Sequence, residues 1–255
     1  MIRSLYTAVS GMITMENKQN TVTNNMANAN TTGYKSQNLV TKSFNDVLLQ
    51  NMDKVTNGVN QKQELGTISL GVAIDAVNTN FTQGTLKETG KVGDLAIEGK
   101  GFFAVKSGDQ TFYTRDGQFR VNNQGNLANN SGDLLLGTNK ATGALEPITV
   151  ASGDFTVDKY NNVYVNGTAT HKIAIADFAD YATLGKTGDN YYTGENPTYA
   201  GDARVSQGFL ETSNVNITNE MVDMMTVMRN FESAQKFVTM LDESLGKAAN
   251  EVGKV

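Results

Sequence analysis

Apolar and polar positions follow three different rhythms along this chain. Near the start, Ile2, Leu5, Val9, Met12, Met15, Val22, Met26 and Ala29 step mostly by three and four, which predicts an amphipathic helix. Ser4 is a candidate cap, and Gly33 suits the left-handed residue that ends a helix. Near the other end, Met221, Met224, Met228, Phe231, Gln235, Val238, Asp242, Leu245, Ala249 and Val252 repeat every seven residues. Over about four heptads that spacing predicts a coiled-coil seam, on a helix roughly 45–50 Å long. Gln235 and Asp242 interrupt the seam and set register at some cost in stability. Thr218 is the expected N-cap of this helix, with Glu220 and Asp223 favourable in its first turn.

The middle, from about residue 84 to 205, carries almost no helical period. Short runs such as LAIEG, FFAVK, TFYTRDG, QFRVNN, DLLLG, ITVAS, FTVDK, VYVNG and HKIAIADF alternate with Gly- and Asn-rich turns, the mark of an all-β sandwich or barrel. VNNQGNL and VDKYNNVYV read as hairpins with loops of three to five residues. Residues 34–83 are polar and weakly patterned, and predict an extended connector. Within it, Ile68, Leu70, Val72 and Ile74 alternate strictly and predict one strand. The expected class is α+β. Terminal helices, 1–33 with 212–255, pair as a coiled-coil-like layer, joined through connector 34–83 to a β-rich domain at 84–211.

Composition narrows the function by exclusion. The net charge of −5 and the lack of any basic run argue against a nucleic-acid partner. Without cysteine there is no disulfide and no thiolate metal site. No stretch of 18 apolar residues predicts a transmembrane segment, and the first residues lack the apolar core of a cleaved signal peptide. His171 is the single histidine, so neither a zinc site nor a nucleophile–base pair can be assembled around it. GKGFFA lies between two strand-like runs instead of opening a helix, which removes the phosphate-binding reading. TRDG reads as a turn, and DKYNN lacks the ligands of a calcium loop. The sequence predicts no catalytic residue, cofactor, metal or small-molecule substrate.

What remains is a question about amides. Asn24, Asn25, Asn28 and Asn30 crowd the end of a helix-like run, although Asn is a poor helix interior residue. An amide carries two donors and an acceptor, so it ties off backbone groups without burying charge.

NNMANANTTGYK, residues 24–35, resembles the N-terminal signature of the bacterial flagellar rod and hook proteins, with Met26 where the family usually has Leu. GDLAIEGKGFFAV (93–105), YTRDGQF (113–119) and QGFLETSNVNITNEMVDMM (207–225) are similar to further family motifs and stand in the family's order. The length of 255 residues resembles a rod protein more than the longer hook proteins. Residues 46–84 are similar to the distal-rod type, whereas FESAQKFVTMLDESLGKAANEVGKV also resembles the proximal-rod type. The resemblance implies a structural subunit of the flagellar basal body, exported through the flagellar apparatus and assembled with itself and other rod and hook subunits. On that reading Leu5, Val9, Met12, Asn24, Asn25, Asn28, Gly33, Tyr34, Met221, Met224, Met228, Phe231, Val238 and Leu245 lie at subunit interfaces. Alternatives from other classes are a secreted β-domain adhesin, disfavoured by the absence of Trp, and helices that pair only with each other.

Overall fold

The periodicity at both ends becomes helix. The structure, a computed structural model, describes residues 2–56, 59–150, 154–188, 190–199 and 203–252. Helix α1 spans Ile2–Ala27 and helix α2 spans Ile217–Lys247, the latter followed by a wider π-helical turn, Ala248–Val252. At about 1.5 Å per residue α2 is roughly 46 Å long. Ser4 and Thr218 lie inside their helices and not ahead of them, so neither is the residue that starts its element.

On α2 the covered positions repeat every seven residues, but not quite as the apolar pattern predicts. Met224, Phe231, Val238 and Leu245 are half-buried. The intervening inner positions are Val227, Ala234 and Leu241, while Met228, Gln235 and Asp242 are exposed. Both faces of the first turns are apolar, so identity alone could not choose between them. The inner stripe thus has no polar interruption, and the displaced methionines belong to an outer face. On α1, Leu5, Val9 and Met12 are half-buried and Val22 is buried. The side chains of Ile2 and Val252 lie outside the described ones.

The chain forms two compact units. The helical unit comprises Met1–Met26, Gln37–Asn78 and Ile217–Val255. Besides the helices, its described residues hold four strands: β1 (Gln37–Ser43) pairs with β4 (Val72–Thr79), and β2 (Val47–Thr56) pairs antiparallel with β3 (Val59–Ile68). The single strand predicted through Ile68, Leu70, Val72 and Ile74 is therefore two. β3 stops at Ile68 and β4 starts at Val72, because the chain turns at Ser69–Gly71, where Phe44 N–H donates to Gly71 O at 2.9 Å.

The second unit, Ala27–Ser36 with Thr79–Asn216, is β-rich. Its main sheet runs in the order 156–157, 162–165, 168–173, 134–139, 102–107, 110–114, 191–193 and 185–187. The run ITVAS forms no named strand, and its residues 151 and 152 lie outside the described ones. Ile148 and Val150 nevertheless fill the core beside Leu95, Ile97, Phe103, Phe119, Leu127, Leu135 and Val163. A second cluster packs Phe102, Tyr113, Phe178 and Tyr192. Strand 204–207 pairs with 95–98, and strand 209–211 pairs with 86–88.

Candidate functional site

The motif residues fall into two polar knots, one in each unit. In the helical unit the knot is Asn25, which is buried. Its Oδ1 accepts the Gln37 backbone N–H at 2.9 Å, and its Nδ2 donates to Gln37 O at 2.8 Å and to Glu220 Oε1 at 3.2 Å. One amide therefore closes both backbone groups of an extended residue and reaches the first turn of α2. The tied backbone belongs to the same chain. Burial, the largest influence, pushes the Glu220 carboxyl up; the Asn25 bond opposes this and Asp223 adds to it.

In the β-rich unit Asn214 repeats this role. Its Oδ1 accepts Ser36 N–H at 2.8 Å, and its Nδ2 donates to Asn80 O at 2.8 Å and Thr82 O at 3.1 Å. Asn80 N–H in turn donates to Ser36 O at 2.8 Å. Buried backbone groups need partners, and short uncharged amides supply them at both knots.

Beneath Asn214 lies a charged cluster that the sequence did not reveal. Lys35, Arg115 and Glu211 are all buried. Glu211 Oε1 accepts Lys35 Nζ at 2.5 Å and Gly84 N–H at 2.8 Å, and Oε2 accepts Arg115 Nη1 at 3.0 Å. Lys35 Nζ also donates to Thr82 O, and Arg115 Nη2 to Gly99 O. Burial pulls the Lys35 ammonium below its ordinary value, opposed by the Glu211 carboxylate and reinforced by Arg115. Two glycines permit the close packing. A Cβ on Gly33, whose φ is +68°, would lie 2.4 Å from the Arg115 carbonyl carbon, and one on Gly84 would lie 2.0 Å from Thr212 O.

The other predicted residues are placed as follows. Tyr34 is buried in the β-rich unit, with Lys186 Nζ 4.4 Å from its ring centroid. Asn28 closes the turn after α1, accepting Thr31 Oγ1 at 3.1 Å, while Asn24 is exposed. Met221 and Met228 are 49% and 46% exposed, and share the outer face of α2 with Val222 and Met225. His171 is buried beside Glu146, with Nε2 to Oε1 at 3.2 Å, and lies in a strand of the main sheet. Among the described residues no group of three acidic, His or Cys side chains is placed to hold a metal, and no helix is long and apolar enough to cross a membrane.

The motifs that build these knots are also the segments shared with known proteins. Residues 5–35 match the family described as Flagella basal body rod protein, and residues 96–189 match the Flagellar hook protein FlgE/F/G D1 domain. Residues 206–251 match the Flagellar basal body rod FlgEFG protein C-terminal family. The flagellar basal-body rod protein FlgG of Bacillus subtilis is 33% identical over 98% of this chain and 99% of its own. The chain belongs to the flagellar basal-body rod and hook protein family. The flagellar hook-basal body complex protein FlhO of the same organism is 31% identical, and the rod protein FlgF of Caulobacter vibrioides 32%, each over the full length of both chains. As a member, the chain is a structural protein of the flagellar basal body and not an enzyme. Lys35, Arg115 and Glu211 were missed because a charged residue in a sequence reads as solvated. Their places in TGYK, TRDG and LETSN, the motif cores, were the one available signal.

Proposed function

We propose that this chain self-assembles into the helical tube of the rod, with other rod and hook subunits at its ends, and transmits motor torque toward the hook. The observation that carries this is an asymmetry of exposed apolar surface. The helical unit leaves Tyr6, Ile13, Phe44, Leu48, Leu65, Met221, Val222, Met225, Met228, Phe237 and Met240 exposed. Among the described large hydrophobics the β-rich unit exposes only Val92, Leu145, Tyr160 and Tyr199. Exposed apolar side chains gathered in one unit in this way mark protein–protein contact, and head-to-tail contacts between identical chains build an open filament. The inner stripe of α2 is the coiled-coil-like seam against α1, and the outer face meets neighbouring subunits. A groove of about 650 Å³ between the helices and the β2–β3 hairpin, lined by Thr7, Ala8, Leu49, Ile68, Ala234 and Phe237, extends this surface.

The distal-rod type is the reading we favour, on the likeness of residues 46–84. The proximal type stands second, supported by the likeness of the C-terminal segment. Immunogold electron microscopy of rods purified with their hooks still attached tests the assignment. The chain should be present, next to the hook in a distal rod and next to the motor ring in a proximal one. Its absence from purified rods would overturn the reading.

A further inference from the structure

Two buried cations, Lys35 and Arg115, share one carboxylate, that of Glu211. Among the described residues no second carboxylate pairs with either. The acceptor arrives late in the chain, 176 positions after Lys35 and 96 after Arg115. It is carried by strand 209–211, which pairs with 86–88, next to strand 204–207, which pairs with 95–98. Both pairings close loops of more than a hundred residues, and such contacts form only after their chain entropy is lost. Until that strand docks, packing over Lys35 and Arg115 buries two positive charges with nothing to balance them, which desolvation opposes.

We propose that Glu211 is a latch, so that the β-rich unit reaches its closed packing only when strand 209–211 docks, as the last step of its folding. Gly84 is part of the device. Its N–H donates to the same Glu211 oxygen as Lys35, and its bare Cα admits Thr212 O. The depressed Lys35 ammonium accords with a site where charge is tolerated only because the carboxylate is present. The latch also explains why TGYK, TRDG and LETSN each carry one charged residue into the interior: each brings one member of the cluster.

Folding kinetics of the full chain test the latch. Eight of the nine tyrosines lie in the β-rich unit, so tyrosine fluorescence follows it. A contact made last speeds unfolding when removed and leaves folding unchanged. Glu211→Gln should therefore raise the unfolding rate about tenfold or more and change the refolding rate by less than about twofold. Slower refolding with unchanged unfolding, or no change in either rate, would overturn the proposal. If Glu211→Gln does not fold, the variant carrying Lys35→Met, Arg115→Met and Glu211→Leu decides. Recovery of a folded β-rich unit supports unbalanced charge as the obstacle, and failure to fold overturns it.

Discussion

Asn25 holds both backbone groups of Gln37, accepting its N–H at 2.9 Å and donating to its C=O at 2.8 Å. The remaining Nδ2 proton goes to Glu220, 3.2 Å away. Asn25→Ala leaves two half-buried backbone groups and a half-buried carboxylate without that amide, and should cost about 1–3 kcal/mol. Asn25→Asp should cost more at neutral pH, because it places a second carboxylate against Glu220. The aspartate penalty should shrink as pH falls and Glu220, already raised by burial, takes up its proton. Thermal unfolding of both variants at neutral and mildly acid pH measures this. Equal losses at both pH values would contradict the assignment.

Gly84→Ala should damage the β-rich unit out of proportion to one methyl group. The added Cβ would stand 2.0 Å from Thr212 O, so strand 209–211 must move away from 86–88 and carry Glu211 with it. A loss of about 3 kcal/mol or more in denaturant unfolding is expected. Gly108→Ala is the control for added volume, since a Cβ there meets nothing within 4 Å. Its positive φ makes some strain unavoidable, so the prediction is a clearly smaller loss.

The β-rich unit should lose stability in alkali. Burial, helped by the Asp177 carboxylate, pushes the Tyr181 hydroxyl up to about 12, and burial also raises Tyr113 and Tyr192. An unfolded tyrosine ionises near pH 10. The stabilisation is thus complete below about pH 10 and is lost as pH climbs through the folded values. Lys35 runs the other way, since its depressed value makes stability rise with pH until about its ordinary 10.5. The share of tyrosinate absorbance that belongs to the buried Tyr113, Tyr181 and Tyr192 should therefore rise with unfolding and not before it. Smooth ionisation of all nine tyrosines near pH 10 would contradict this burial.

Limited proteolysis should separate the units. In the helical unit Val22 and Val227 are the large apolar side chains that are fully buried among the described residues, against a continuous core in the β-rich unit. A dilute monomer should be cut first within 37–78 and beyond 217. The protected core should retain the 27–36 peptide with 79–216, because Gly33 N–H donates to Glu211 O at 2.8 Å and Lys35 is held by Glu211. A core that lacks the peptide, or a helical unit that resists cleavage equally, would contradict the division.

Much of this architecture was legible in the sequence. Apart from ITVAS, the strand runs from Leu95 to Ala176 appear where the short apolar segments put them, and both helices follow their periodicity. The covered stripe of α2 was half legible. Met224, Phe231, Val238 and Leu245 lie in it, but Met228 was preferred to Val227 because both are apolar and only packing tells them apart. The amide motif announced a buried polar site, yet its partner, Gln37 of the same chain, required the fold. The charged cluster was illegible because its members come from three distant segments, and nothing local distinguishes a buried Lys35 from a solvated one.

The central claim is that copies of this chain meet through the outer face of α2. Met225 and Met228 lie three residues apart on that face, 52% and 46% exposed and away from the inner stripe. Electron microscopy of concentrated full-length protein, wild type beside a variant carrying Met225→Glu and Met228→Glu, tests it most directly. The account predicts filaments from the wild type and none from the variant, with the tyrosine-reported unfolding of the β-rich unit unchanged. Filaments of normal length and number from the variant would contradict it.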